Sequence, residues 1–276
     1  MTARTTPTRP RISMRSPADV IHTVPYLLGF HPAESIVLIC LQGPAVKLTA
    51  RMDVSDGPDT FSQLHQTVAS HGDDALLVLY SELDAPAWLQ EQALQFKDAM
   101  QVRAGRWFSL ICDNPRCCPP GGTELPEAAD SVVAATAVAA GLAPAASRED
   151  LTATLRPRQV TAAATEAALA LSSIPTRDAA WLAIEEHATG DLDQLMAIAQ
   201  QYLDIARHCP QDATACAPWF LYAWATWRTG SSARPNTVLD IIRAIDPTYA
   251  AAELLSHALL RAVDPLTTPP LTTLTA

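Results

Sequence analysis

Ser35-Ile36-Val37-Leu38-Ile39-Cys40-Leu41 is short, β-branched and free of charge, the pattern of a strand buried on both faces. Gln42-Gly43-Pro44 turns the chain. Val46, Leu48, Ala50, Met52 and Val54 then alternate with polar residues, the period of a strand with one wet face. The two stretches predict an antiparallel hairpin. Working outward, Ser16-Pro17-Ala18-Asp19 is a helix start, with an N-cap, a proline at the first helical position and an acid in the first turn. Val20, Ile21, Val24, Leu27 and Leu28 follow at helical spacing, with Pro25 kinking or shortening the helix. Downstream, Phe61, Leu64 and Val68 mark a helix, Ala75–Tyr80 a third strand, and Trp88, Leu89, Ala93, Phe96 and Met100 a helix opened by Pro86. Trp107–Cys112 is a fourth strand. Strands alternating with helices imply parallel crossovers, so strands two, three and four are expected to run parallel, with strand one antiparallel beside strand two.

From Glu127 onward the chain is Ala-rich and helical in pattern. Ser147-Arg148-Glu149-Asp150 has the form of a capping box, and helices are expected at about 159–171, 177–188, 192–206, 217–228, 235–245 and 248–262. Trp219, Tyr222, Ala223, Trp227, Gly230, Ile241, Ala244 and Asp246-Pro247 leading to Tyr249 and Ala250 resemble one tetratricopeptide-type helical hairpin. The aromatic residues there, Phe220 and Trp224 included, are expected to be core contacts first and a partner groove second. The expected fold is thus an α/β N-terminal unit, built on a mixed, mainly parallel four-stranded sheet, followed by an all-α, tetratricopeptide-like C-terminal half. The boundaries read as a disordered tail over 1–15, an α/β domain over 16–125, a helical domain over 126–265 and a second disordered tail over 266–276.

Composition narrows the function classes. The 276 residues are 49% hydrophobic and 17% charged, enough for packed cores, and the formal net charge is −10. So acidic a surface repels phosphate backbones, which argues against nucleic acid as a partner. Arg4, Arg9, Arg11 and Arg15 could form a basic arm, but a frayed polar tail is the first reading. Met1–Arg15 lacks the apolar core of a secretory signal, and Ser131–Ala146 is too short to span a bilayer. The expectation is a cytoplasmic protein with no membrane partner and reduced thiols.

Chemistry is expected beyond the carboxyl ends of the parallel strands. Asp53 ends strand two, Tyr80-Ser81-Glu82 follows strand three, and Cys112-Asp113-Asn114 follows strand four; the start of strand one adds His31 and Glu34. The Cys-x4-Cys-Cys loop of Cys112, Cys117 and Cys118 could give thiolates to zinc, with His31 as the nitrogen ligand. A Cys112–Cys117 disulfide or redox switch is another use. Buried structural thiols under a proline-rich loop come first. Cys112, His31 and Asp53 could also serve as nucleophile, base and orienter. As structural residues, His31 caps a turn before Pro32 and Asp53 ends a strand. No glycine-rich phosphate loop follows any strand, which disfavours nucleotides. Glu185, Glu186, Asp191 and Asp193 read as a solvated helix junction.

Several of these motifs together resemble an actinobacterial family of unknown function. They are Ser16-Pro17-Ala18-Asp19, Pro25-Tyr26-Leu27-Leu28-Gly29-Phe30-His31-Pro32 with Ser35, and Trp107 with Cys112, Cys117-Cys118-Pro119 and Gly121 or Gly122. Ala223, Trp227, Gly230 and Asp246-Pro247 with Tyr249 extend the likeness to the helical end. The resemblance implies a bacterial, cytosolic protein and carries over no activity. Two functions follow as expectations. The first is a non-enzymatic interaction or scaffold protein that binds another protein through its helical half. The second is a small-molecule-binding or metal-dependent hydrolytic enzyme using the sheet edge and the cysteine loop.

Overall fold

Buried apolar runs dictate two separate cores, and the computed structural model divides between Arg148 and Glu149 into two units. It describes residues 14–43, 45–112, 114–115, 118–127, 131–139, 143–188, 192–231, 233–261, 263, 265 and 268–269. The sequence boundary at 125/126 falls earlier, and helix Val132–Ala139 lies in the first unit. Most of the two expected tails falls outside the described residues.

In the first unit, α1 (Pro17–Leu28) starts on the Ser16 capping box, whose hydroxyl accepts from Asp19 N at 3.2 Å while Ser16 N donates to Asp19 Oδ2 at 3.0 Å. It ends at Leu28, three residues after Pro25, and is capped by Gly29, whose φ of 77° suits a residue without a Cβ. β1 (Ser35–Gln42) and β2 (Ala45–Asp53) form the expected hairpin, with Ser35 opposite Asp53. α2 (Gly57–Ala69), β3 (Asp74–Tyr80) and α3 (Ala87–Ala93) follow. β4 (Asp98–Arg103), β5 (Arg106–Ser109) and β6 (Thr123–Glu124) complete the sheet, and α4 (Val132–Ala139) closes the unit's elements.

The mainly parallel four-stranded sheet is corrected here. Among the described residues the sheet has six strands in the order β2-β1-β3-β4-β5-β6, and of its neighbouring pairs only β3/β4 is parallel. Two local facts explain the difference. α3 stops at Ala93, and Ala99 and Met100, in register with an extended helical stripe, are instead fully buried in a strand. Ala104 and Gly105 then both adopt positive φ, 49° and 70°, between the paired Arg103 and Arg106. Such a two-residue turn matches the twist of a β-hairpin, so β5 runs back along β4.

β1 is buried throughout Ile36–Leu41 because strands flank it on both sides. One face packs Ile36, Leu38, Leu77 and Leu79 against Phe61 and Val68 of α2 and Leu89 and Ala93 of α3. From the other face, Tyr80 Oη donates to Ile21 O of α1 at 3.0 Å, and burial pushes this phenol far above its ordinary range. Asp73 N donates to Leu41 O at 2.9 Å, drawing the loop at Gly72 against β1. A Cβ at Gly72 would run into the Leu41 carbonyl and Cys40 Sγ. Gly72→Ala is therefore expected to cost about 1–3 kcal/mol in urea denaturation, because backbone blocks the added methyl.

Burial also holds His22 of α1 and His65 of α2 below the ordinary histidine range, outweighing at His22 the Pro126 carbonyl and Asp19. Both rings are neutral in the fold, so on acidification the unfolded chain takes up these protons first. Their contribution is complete above the unfolded value of about 6.5 and is lost as pH falls through the lower folded values. The urea midpoint should fall from about pH 8 to pH 5, with a shallower slope in His22→Gln/His65→Gln.

The second unit contains α6 (Ala162–Leu171), α7 (Ile174–His187), α8 (Leu192–His208), α9 (Cys216–Arg228), α10 (Ala233–Ile245) and α11 (Ala250–Leu260). α5 (Arg148–Thr154) spans the dividing point. The six later helices lie within three residues of their expected ends. All 13 residues of α9 are buried, and α8 and α10 pack along it. A helix apolar all round has no face for water, so it becomes the axis of the core. Trp181, Phe220, Trp224 and Trp227 stack edge-on, with ring centroids 4.7–4.9 Å apart for Trp181–Phe220, Trp181–Trp224 and Trp224–Trp227. Glu185 is corrected from a solvated junction residue. It is 0% exposed, pairs with Arg228, and accepts from Trp224 Nε1 at 2.6 Å. Among the described residues no helix is long and apolar enough to cross a membrane.

Candidate functional site

Strand direction decides which polar residues meet. Ser35 opens β1 opposite both Asp53, at the end of β2, and Tyr80, at the end of β3, while Tyr80 pairs with Val102 near the end of β4. Glu34, Asp53, Ser81 and Glu82 therefore gather at one end of the sheet, as expected. Glu34 sits in the left-handed region with φ 43°, a conformation that costs a non-glycine residue about 1 kcal/mol. Its carboxylate accepts from Ser81 Oγ at 2.9 Å and Glu82 N at 3.2 Å, and its carbonyl accepts from Val54 N at 3.0 Å. Ser81, buried, takes Leu83 N on the same hydroxyl at 3.1 Å. Gln101, also buried, ties the loop down by donating to Ser81 O at 3.0 Å and Leu83 O at 2.6 Å.

Beside this group lies a charged cluster that the sequence reading missed. Arg51 donates through Nε and Nη2 to Ser35 Oγ at 2.9 and 2.7 Å, and through Nη2 to Asp53 Oδ1 at 2.5 Å. Arg148 Nη1 lies 4.0 Å from Asp53 Oδ2. Arg103 pairs with Asp84, and Ala104 N donates to Glu82 Oε1 at 3.2 Å. The available signal was the strand period of two, which puts Arg51 on the same face as Asp53. The end of the sheet thus presents carboxylates with guanidinium partners, an arrangement able to hold a small polar molecule through charge-assisted hydrogen bonds.

His31 stands at this end and is exposed; its backbone N donates to Ala145 O at 3.0 Å, inside a bridge between Phe30 and Ala145. Cys112 does not join it. Ser109 pairs with Met100, and Leu110 N donates to Ala99 O at 2.8 Å, so the chain leaves β5 where β4 begins. Cys112, whose N donates to Ser109 Oγ at 3.0 Å, follows at that opposite end. The structure therefore does not assemble Cys112 with His31 and Asp53, because β5 runs antiparallel to β4. Cys118 is half-buried, its N donating to Asn114 O at 2.8 Å, and Cys117 lies outside the described residues. Among the described residues, no three His, Cys, Asp or Glu side chains are grouped so as to hold a metal ion.

Compared with known families, residues 17–168 and 158–266 match a family described as "Domain of unknown function (DUF4192)". Neither a curated protein nor a solved structure matches the chain.

Proposed function

We propose, from the premise that this chain belongs to the DUF4192 family of domains of unknown function, that it is a non-enzymatic protein-interaction or scaffold protein whose helical unit makes the contact. The observation that carries this reading is the outer surface of that unit. α6, α7 and α8 pack on one another, yet Leu169 on α6 is 62% exposed, Ile174 at the start of α7 63%, and Met196 on α8 57%. Exposed large apolar side chains on a rigid helical layer are the raw material of a protein interface. α9, buried along its whole length, is the element on which the neighbouring helices pack. The turn Thr229-Gly230-Ser231 between α9 and α10, and Asp246-Pro247 before α11, support the tetratricopeptide-like reading of this stretch.

A cytoplasmic, actinobacterial setting belongs to the same reading. Cys209 and Cys216 are buried thiols in the helical core, and burial pushes each up to about 11. Thiols kept protonated in a core suit a reducing compartment. Both are expected to resist a thiol reagent in the folded chain and to react at once in denaturant.

The interface is tested by placing a photo-crosslinking residue at Leu169, Met196 or, as a control on the sheet, Lys47. Crosslinks to one other protein from the helical positions and none to it from Lys47 are expected. Crosslinks to it from Lys47 alone would count against the reading. A second reading, a small-molecule-binding or hydrolytic site at the sheet end, is favoured by one observation, the strained Glu34 held by Ser81 and Glu82. It predicts that a metabolite raises the melting temperature of the wild-type chain and not of Glu34→Gln.

A further inference from the structure

Among the described residues β2 is the outermost strand on its side of the sheet, running the nine residues from Ala45 to Asp53. Ser35 faces Asp53, so Glu34 stands opposite Val54, and Val54 N donates to Glu34 O at 3.0 Å. A directly opposed pair joined in this way is the hydrogen-bonded kind, and the two kinds alternate along an antiparallel ladder. Met52, Ala50 and Leu48 therefore turn their N–H and C=O groups toward β1, while Asp53, Arg51 and Thr49 turn theirs outward. Asp53 N accordingly finds its acceptor off the ladder, in Asp56 Oδ2 at 2.9 Å. The outward groups of Thr49 and Arg51 are a template for another strand.

Charge decides which strand fits. Lys47 is exposed at the bulge where the pairing shifts between Cys40 and Leu41, and a bulge and a lysine guard an edge against most strands. Lys47, Thr49, Arg51 and Asp53 share one face by strand alternation, and Leu48, Ala50 and Met52 the other. On that second face Leu48 and Ala50 pack on the core yet are only partly buried. Outward groups fall on every second residue, so two copies of β2 can pair antiparallel only about an axis through a residue. Centred on Thr49, Lys47 would meet Arg51, and centred on Arg51, that residue would meet itself; like charges so opposed repel. Centred on Leu48, the bulged Lys47 would have to carry the central bonds, and centred on Met52 only Arg51–Asp53 would overlap. Centred on Ala50, Lys47 of each copy meets Asp53 of the other, Leu48 meets Met52, and Thr49 and Arg51 exchange their outward bonds.

We propose that β2 is a self-docking edge: two copies of this chain pair antiparallel through it, centred on Ala50, and join their sheets. Lys47 thus excludes strands that lack an acid at the matching place and admits the chain's own. This interface is separate from the one proposed on the helical unit and does not rest on it.

Sedimentation velocity of the full chain, from low micromolar up to about 0.2 mM, tests it. Wild type is expected to pass from monomer to dimer as concentration rises. Thr49→Pro removes an outward N–H and leaves the β1 ladder intact, so it should stay monomeric. Lys47→Asp changes an exposed side chain, turns two attractive pairs repulsive, and should weaken the dimer by about tenfold or more. Register is read by Ala50→Cys. An opposed, non-bonded pair has Cα atoms about 4.5 Å apart, within disulfide reach, so mild oxidation should give a covalent dimer. Leu48→Cys, opposite Met52, should not. A wild type that is monomeric throughout overturns the proposal, and so does a dimer that Lys47→Asp leaves undiminished. The Leu169→Ser/Ile174→Ser/Met196→Ser variant should still dimerise. A chain that dimerises through β2 and captures no other protein defeats the helical interface alone.

Discussion

Arg228→Met should lower the stability of the helical unit by about 3–5 kcal/mol, because it leaves the Glu185 carboxylate buried without its cation. Glu185 is 0% exposed and also accepts from Trp224 Nε1 at 2.6 Å. Urea denaturation followed by the fluorescence of Trp181, Trp219, Trp224 and Trp227 reads this unit. Glu185→Leu alone should cost a similar amount by stranding the guanidinium, although the Pro265 and Thr268 carbonyls that accept from Arg228 soften that loss. The double variant should recover much of either loss, since an apolar pair of similar volume avoids the desolvation of both charges. Additive losses in the double variant would mean that the two side chains act independently.

Trp219→Ala should cost about 3–5 kcal/mol, the range for emptying a large aromatic site that cannot collapse. Trp219 is 0% exposed in the first turn of α9, its ring centroid 6.4 Å from that of Tyr222. Its Nε1 donates to Gln211 Oε1 at 3.2 Å, so truncation also removes the acceptor's partner. Because α9 is enclosed by its neighbours, little can move in to fill the gap. Leu169→Ser on the exposed face of α6 should change stability by no more than about 0.5 kcal/mol while weakening partner capture. A stable fold with lost capture separates the interface from the core.

The parts of the fold visible in the sequence were those whose signals are local. β1 and β2 announced themselves by a β-branched run and an alternating one, α1 by its capping box, and α9 by aromatic residues at every turn. β4 was hidden because Ala99 and Met100 continue the helical spacing of Leu89, Ala93 and Phe96. No glycine or proline marks the end of α3, and Ala104 occupies a positive-φ position without the usual turn residues. That single missed strand reversed the direction of β5 and carried Cys112 to the wrong end of the expected site. The convergence of Glu34, Asp53 and Ser81 was legible, since it depends only on β1, β2 and β3. The Glu185–Arg228 pair was not: its members stand 43 residues apart, and Glu185 sits among exposed acids that suggest a solvated surface.

The most direct test is affinity purification of the tagged full chain from cells that encode it, alongside a variant carrying Leu169→Ser, Ile174→Ser and Met196→Ser. The reading of this chain as an interaction protein predicts a stoichiometric protein partner with the wild type, lost from a variant that unfolds at the same urea concentration. A partner retained undiminished by the variant, or a wild-type preparation that contains this chain alone, would contradict it.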